Sequence, residues 1–142
     1  MTSARMGRLY VEEARNRKDL VGLALEKRRW ATVVREAQEC VELYLKGALR
    51  LVAVEPTRHH DVAEPLRQEA RRFPDWFRAH AEHLATISTE MAGDRGIAFY
   101  GDERQAVAPQ ELFDEGDAQR AAENLDFVAR LSERLLGEME AS

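Results

Sequence analysis

The four histidines are the side chains best suited to proton transfer or metal binding, and they occur in two pairs. His59 and His60 are adjacent and precede Asp61, whereas His80 and His83 are three residues apart. Two adjacent ligands rarely chelate one ion well, and no His-x-x-x-His or Glu-x-x-His pattern supports them. We therefore expect no metal site, and we interpret His80 and His83 as partly buried rings that neighbouring side chains satisfy.

Other sequence patterns that carry chemistry are missing. Glu36, Glu39 and Glu42 follow one side of a predicted helix, and we interpret them as its solvent-exposed face rather than as paired catalytic carboxylates. The sequence has no Gly-rich phosphate loop after a strand, no nucleophile elbow and no kinase or deaminase signature. We therefore assign no catalytic residue and expect no cofactor.

Residues 93–116 lack a helical period and carry side chains suited to binding a nucleotide. Arg95, Tyr100 and Asp102 fall within eight residues of one another. Arg offers a planar, permanently charged fork to phosphate, and Tyr offers a flat face to a base. Because structureless loops of this length are often functional, this loop is a candidate binding site. The alternative is that Tyr100 packs over the bundle end while Arg95 pairs with Asp94 or Asp102.

The charge of the chain is unevenly distributed, although its net value is −5. Residues 1–60 carry 12 Lys and Arg against 8 Asp and Glu, whereas residues 61–142 carry 9 against 18. The basic density peaks at Lys27-Arg28-Arg29. This triplet is either a solvated turn between two helices or a patch for phosphate or an acidic partner.

Helices must position these side chains, because apolar residues recur with a helical period along most of the chain. In residues 29–51 the apolar positions alternate at steps of four and three, and a second row widens the stripe. We predict a central helix that ends near Val54, because Pro56 disfavours helical geometry at the residue before it. The predicted core-facing residues are Trp30, Val33, Val34, Ala37, Cys40, Val41, Tyr44, Leu45, Ala48, Leu49, Leu51 and Val52.

Four further helices are predicted around the central one. Their approximate bounds are 8–26, a short helix near 66–73, 74–92 and 117–138. Gly22 would permit a close helix–helix approach, Asp61 would cap the short helix, and Gly93 would end the following one. The predicted fold class is all-α: a single domain over residues 1–142, built as an antiparallel up-and-down helical bundle of four long helices plus one short helix.

The sequence also favours a cytoplasmic setting. No apolar run approaches the roughly 18–20 residues needed to cross a bilayer, so we expect no membrane partner. The N-terminal residues lack the apolar segment of a signal peptide. The single cysteine, Cys40, lies on the apolar side of the central helix, which excludes an intrachain disulfide and fits a reducing compartment.

Several residues recur in the order and spacing of a known family. In chain order they are Trp30, Ala31, Ala37, Glu39, Leu45 and Lys46, then His60-Asp61-Val62, then Phe-Tyr-Gly-Asp at residues 99–102, and finally Asp117, Ala118 and Ala121. Over about residues 6–137 the chain resembles the small stand-alone prokaryotic members of the HEPN family (higher eukaryotes and prokaryotes nucleotide-binding). The resemblance implies a helical bundle that dimerises and is often encoded beside a minimal nucleotidyltransferase in toxin–antitoxin-like pairs.

Many members of that family are metal-independent ribonucleases, which use an Arg followed by a polar residue and, a few positions later, a His. The resemblance places this motif near Arg95, but residues 95–101 contain no His. Arg78 and His83 have the spacing, although five residues of helix separate them by roughly 140° around the axis. We therefore interpret that spacing as coincidence and expect no ribonuclease activity.

Our hypothesis is a non-catalytic HEPN-type module that forms a homodimer and binds a nucleotide, an RNA segment or a nucleotidyltransferase partner. Lys46 and Arg95 would meet phosphate, and Tyr100 would stack on a base. The apolar side of the central helix is wider than one partner helix needs, which also favours a dimer. The alternatives are a metal-independent endoribonuclease toxin that uses His60 or His83 for proton transfer, and a purely structural dimer that neutralises a partner protein. The candidate binding residues are Lys46, Arg58, His60, Asp61, Arg95, Tyr100 and Asp102, with His60 and Asp61 holding the loop.

Overall fold

The computed structural model describes residues 3–142, and within them the chain is an all-α bundle. The helices are α1 (Ser3–Glu26), α2 (Trp30–Leu51), α3 (Ala63–Gln68), α4 (Asp75–Arg78), α5 (Ala81–Tyr100), α6 (Pro109–Leu112) and α7 (Glu115–Ala141). In this described range α1, α2, α5 and α7 are the four long helices, which confirms the predicted fold class. The prediction of one short helix is wrong, because α3, α4 and α6 are all short and a 3-10 turn at Ala70–Arg72 follows α3.

α2 is the centre of the bundle, as its two apolar rows predict. α1, α5 and α7 all pack against it, and each of its residues is buried or half-buried. The side that we predicted to be solvent-exposed is half-buried at Glu36, Glu39 and Glu42, because Arg17, His60 and Arg95 from neighbouring segments cover it. α1, α5 and α7 are enough to bury its apolar rows, so the width of its apolar surface does not require a second chain.

α1 and α2 approach closely where two glycines face each other. A Cβ atom on Gly47 would lie 2.9 Å from Val11 Cγ2 and 3.0 Å from the Gly7 carbonyl oxygen. We expected Gly22 to make the close approach, and that prediction is wrong, since a Cβ there would meet no neighbouring atom within 4 Å. Helical periodicity shows that a glycine lies in a helix, but it does not show which glycine faces another backbone.

α5 continues through Gly93 and Gly96 to Tyr100, so the prediction that an irregular loop begins at Gly93 is wrong. An interior glycine costs a helix about 1 kcal/mol relative to alanine. Contacts made by the last two turns of α5 offset this cost: Ala98 is buried, and Arg95 bonds to a side chain of α2. These contacts are tertiary, so no local sequence signal reveals them.

The end of α5 is set by Gly101. Its φ of 73° is a conformation that L side chains rarely adopt, and a Cβ there would collide with the carbonyl oxygen of Val107. Asp102 and Val107 exchange both backbone hydrogen bonds, which closes a small turn, and α6 follows directly. The segment predicted as one long loop is therefore the end of a helix, a closed turn and a short helix.

The helix predicted over residues 74–92 is interrupted near His80, which lies between α4 and α5. The guanidinium of Arg78 donates hydrogen bonds to two carbonyl oxygens of the preceding 3-10 turn and to that of Phe73. The rings of Phe73 and Phe77 stack with centroids 4.2 Å apart. These contacts hold α4 against the 3-10 turn before it, and a turn at residues 79–80 separates α4 from α5.

Candidate functional site

The predicted binding residues fall into separate places in the fold. His60 and Arg95 meet beside α2 at a cavity of about 120 Å³, which we call the polar cleft and which is lined by Arg17, Glu39, Glu42, Leu43, His60 and Arg95. Asp61 lies next to α3, whereas Tyr100 and Asp102 lie at the C-terminal end of α5. Arg58 is exposed in the loop before α3 and has no hydrogen bond or ion pair to any described residue.

Glu42 is the carboxylate that joins the predicted residues of the polar cleft. One of its oxygens lies 2.8 Å from Lys46 Nζ, and the other lies 2.9 Å from His60 Nδ1. The Gln38 amide also donates to it, at 3.0 Å. Burial raises the pKa of Glu42, but the hydrogen bonds it receives outweigh burial, so its pKa is lowered overall. Glu42 is thus ionised at neutral pH and neutralises Lys46, which makes that ammonium a weak site for phosphate.

Arg95 reaches the polar cleft from α5 and is also paired. Its Nη1 lies 2.6 Å from Gln38 Oε1 and 3.2 Å from Glu39 Oε1. Glu39 pairs in turn with Arg17 of α1 at 2.8 Å. The cleft is therefore lined by two arginines and two glutamates, whose charges balance. A phosphate that enters the cleft would have to displace the existing ion pairs.

Asp61 is engaged within the protein. Its Oδ1 accepts hydrogen bonds from the Ala63 N–H at 2.9 Å and from the Ser88 hydroxyl at 3.0 Å. Its Oδ2 accepts from the Thr89 hydroxyl at 2.8 Å. Burial raises the pKa of Asp61, but these hydrogen bonds lower it by more, so the pKa is below its usual value. This side chain fastens the loop before α3 to α5.

Tyr100 projects into solvent, with 71% of its surface exposed. The interpretation in which it packs over the end of the bundle is therefore wrong. The pairing of Arg95 with Asp94 or Asp102 is wrong as well, because Arg95 pairs with Glu39. Arg95 and Tyr100 also line different cavities, so the structure does not bring them together as one binding surface.

Arg78 and His83, which have the spacing of the ribonuclease motif, lie on different helices. Arg78 belongs to α4, where backbone carbonyls engage its guanidinium. The ring of His83 belongs to α5 and contacts Phe127, with centroids 4.7 Å apart. His80 contacts the same phenylalanine at 5.5 Å and is half-buried as expected, whereas His83 is exposed and that expectation was wrong.

A larger cavity, outside the predicted site residues, lies where α1 turns into α2. Its volume is about 340 Å³. We call it the arginine pocket; it is lined by Arg28, Arg29, Trp30, Ala31, Thr32, Arg35, Ala98, Phe99, Pro109 and Gln110. The sequence signal for it is the basic triplet at residues 27–29. The other wall comes from α5 and α6, and it could not be placed while residues 93–116 were interpreted as a loop.

The arginines of this pocket have weak ionic partners. Arg28 lies 4.0 Å from Glu115, and both side chains are more than half exposed, so solvent screens the pair. Arg35 lies 3.5 Å from Glu36, and the side chain of Arg29 has no hydrogen bond or ion pair to any described residue. None of the residues that line the pocket carries a carboxylate. The pocket is therefore positively charged, in contrast to the balanced polar cleft.

Metal and thiol chemistry have no evident place in the described part of the chain. No group of three His, Cys, Asp or Glu side chains within residues 3–142 could hold a metal ion. Cys40 is buried, and burial raises the pKa of its thiol to about 12, so it is not a thiolate at neutral pH.

None of the helices in residues 3–142 combines the length and the apolar character that crossing a membrane requires.

Comparison with known protein families gives a match over almost the entire bundle. A family model for the HEPN domain matches residues 8–135, which run from α1 into α7 and include both cavities. No curated protein and no solved structure matches this chain. The chain therefore belongs to the HEPN domain family and is a nucleotide- or RNA-related helical module.

Proposed function

We propose that this HEPN module binds the phosphates of a nucleotide or an RNA in the arginine pocket and does not itself catalyse a reaction. One observation carries the proposal: three arginines and no carboxylate line this pocket, whereas two arginines and two glutamates line the polar cleft. A guanidinium group can bind phosphate through two parallel hydrogen bonds. The phosphate contacts expected of Lys46 and Arg95 are thus assigned instead to Arg28, Arg29 and Arg35.

Arg29 is the most informative residue for a test, because its side chain has no hydrogen bond or ion pair to any described residue, so Arg29→Ala should leave folding intact. Isothermal titration with ATP and with a short single-stranded RNA should show binding by the wild type. Arg29→Ala should bind about ten- to 150-fold more weakly, since a charged hydrogen bond contributes roughly 1.5–3 kcal/mol. Arg130→Ala removes an exposed arginine of α7 and should bind like the wild type. Equal affinities in all three proteins, or no binding by the wild type, would rule out this site.

We further propose that the module acts as a homodimer and pairs with a minimal nucleotidyltransferase. Both parts come from what the resemblance to small prokaryotic HEPN proteins implies; the family match itself shows neither a dimer nor a partner. The exposed side chains of Ile97 and Tyr100 on α5 offer a surface for a second chain. Co-expression with a nucleotidyltransferase encoded beside this chain should give a complex that elutes as one species in size-exclusion chromatography. Separate elution of the two proteins would rule out the nucleotidyltransferase as a partner.

Metal-independent RNA cleavage is a second candidate function, favoured by one contact in the polar cleft. His60 Nδ1 lies 2.9 Å from Glu42, an arrangement that orients an imidazole and leaves Nε2 to exchange a proton with a 2′-hydroxyl. Arg17 and Arg95 in the same cleft would stabilise charge on the phosphate. Single-stranded RNA incubated with the protein and EDTA tests this function, with His83→Ala as the control. We expect no cleavage. Cleavage that His60→Ala abolishes and His83→Ala does not would show that the protein is a ribonuclease and would contradict the non-catalytic proposal.

A further inference from the structure

We propose that the arginine pocket recognises a polyphosphate chain and does not read the base attached to it. The ligand is the triphosphate of a free nucleotide or the triphosphorylated 5′ end of an RNA, which share this chemistry. The inference rests on the proposed function and narrows it to one part of the nucleotide. It is carried by the positions of the aromatic rings, by the size of the pocket and by its hydrogen-bonding groups.

The aromatic rings of the pocket contact the guanidinium groups of arginines. Arg28 Cζ lies 5.2 Å from the centroid of the Trp30 ring. Arg35 Cζ and Arg95 Cζ lie 4.9 Å and 5.1 Å from the centroid of Phe99. A guanidinium that stacks on a ring keeps its N–H edge available to an anion. These rings therefore orient positive charge, and a base stacking on them would compete with the guanidinium groups already in contact with the rings.

The pocket is also small for a whole nucleotide. Its volume of about 340 Å³ lies near the lower end of the roughly 300–1,000 Å³ that ligand pockets occupy. Arginine supplies donors and no acceptor, and the side-chain acceptors of the lining come from Thr32 and Gln110. With so few acceptors, the pocket offers few partners to the amino group of adenine or guanine, whereas its many donors match the oxygens of a phosphate chain.

Isothermal titration with ATP, GTP, tripolyphosphate and adenosine tests the inference. The affinities for ATP and GTP should agree within about threefold, and tripolyphosphate should bind within about tenfold of either. Adenosine should not bind. Adenosine that binds as tightly as ATP, or a difference between ATP and GTP above about tenfold, would overturn the inference and leave the proposed function standing. If neither nucleotide nor RNA binds, the proposed function and the inference fail together.

Phe99→Leu separates the two uses of the ring. If the ring orients Arg35, the variant should bind tripolyphosphate about two- to fivefold more weakly. If the ring instead stacks on a base, tripolyphosphate affinity will be unchanged while ATP binding weakens, and the inference is overturned. Arg35→Lys keeps the charge but loses the planar group, and it should show the same loss of tripolyphosphate affinity. Thermal melting of both variants confirms that each is folded.

RNA oligonucleotides of one sequence, with a 5′-triphosphate or a 5′-hydroxyl, separate the two sources of the phosphate chain. A triphosphorylated RNA that binds more tightly than ATP identifies an RNA end as the ligand, and equal affinities identify the free nucleotide as sufficient. Both results support the inference. A 5′-hydroxyl RNA that binds as tightly as the triphosphorylated one would overturn it, while RNA binding as such would still agree with the proposed function.

Discussion

Asp61 accepts three hydrogen bonds, two from α5 that fasten the loop before α3 to that helix and one from the first residue of α3, and its removal should therefore cost stability. Asp61→Ala leaves the Ser88 hydroxyl and the Ala63 N–H without their acceptor. We expect the free energy of unfolding at pH 7 to fall by about 1–3 kcal/mol, measured by urea denaturation. Asp19→Ala, at an exposed position of α1, should change it by less than about 0.5 kcal/mol. Equal stability of Asp61→Ala and the wild type would show that other contacts hold the loop.

This stabilisation should depend on pH in one direction. Burial raises the pKa of Asp61 and its hydrogen bonds lower it by more, so the folded-state pKa lies below the usual value. A group of this kind stabilises the native state above its unfolded pKa of about 3.9 and loses that effect as pH falls through the folded pKa. The difference between wild type and Asp61→Ala should stay constant down to about pH 5 and shrink below about pH 4. A difference that grows on acidification would contradict this account.

Lys46, His60 and Arg95 show how far single residues can be interpreted from a sequence. The structure does bring them to one side of α2. The sequence could not show that these side chains are already bonded to Glu39 and Glu42, because those carboxylates fall on the face of α2 that its periodicity assigns to solvent. Periodicity identifies the face of a helix on which a side chain lies, but not which other segment covers that face.

At the scale of elements, the contact between α1 and α2 depends on a glycine pair. Gly47→Ala would place a Cβ 2.9 Å from Val11 Cγ2 and 3.0 Å from the Gly7 carbonyl oxygen, so a β-branched side chain and a backbone would both have to move. Overpacking of about 1–3 kcal/mol opposes the gain of about 1 kcal/mol in helix propensity. We expect Gly47→Ala to lower the melting temperature.

Gly22→Ala is the matched control for that substitution. It lies on α1, where a Cβ would meet no neighbouring atom within 4 Å, so only the propensity gain applies. Differential scanning calorimetry should show a higher melting temperature for Gly22→Ala than for the wild type. If both variants melt higher than the wild type, the two helices are not in the close contact described here.

The elements differ in how much of them a sequence predicts. α2 follows from its apolar rows, and the start of α7 follows from Asp114 and Asp117, whose side chains bond to each other's backbone N–H groups. The continuation of α5 past Gly93 and the interruption near His80 do not follow, because contacts with other segments override a local preference. Since α5 and α6 form half of the arginine pocket, the missed continuation also hid the pocket.

At the scale of the whole molecule, the charge distribution restricts where a phosphate can bind. Residues 61–142 carry twice as many acidic as basic side chains, 18 against 9. The arginine pocket takes its charges from the other part of the chain, at the turn between α1 and α2. Phosphate is therefore repelled from most of the acidic part and attracted to one end of the bundle. The net charge of the whole chain does not reveal this difference between the acidic part and the arginine pocket.

The homodimer also belongs to this scale, and the structure changes which surface should form it. α2 is covered by its own chain, so the wide apolar stripe that first suggested a dimer cannot be the interface. The outer side of α5 remains available, where Gly93 and Gly96 face open space beside the exposed Ile97 and Tyr100. Two glycines one turn apart allow a second helix to approach, and a pair related by two-fold symmetry would bury this surface on both chains.

Sedimentation velocity should therefore find the wild type as a dimer at micromolar concentration and Ile97→Arg as a monomer, because the substitution would bury two unpaired charges in the interface. Leu20→Arg is the matched control, since Leu20 on α1 is 45% exposed and Ile97 is 43% exposed. This control should remain a dimer. Circular dichroism should be the same for all three proteins, because both positions are exposed. A monomeric wild type would end the dimer proposal, whereas a dimeric Ile97→Arg would show that the two chains meet on another surface.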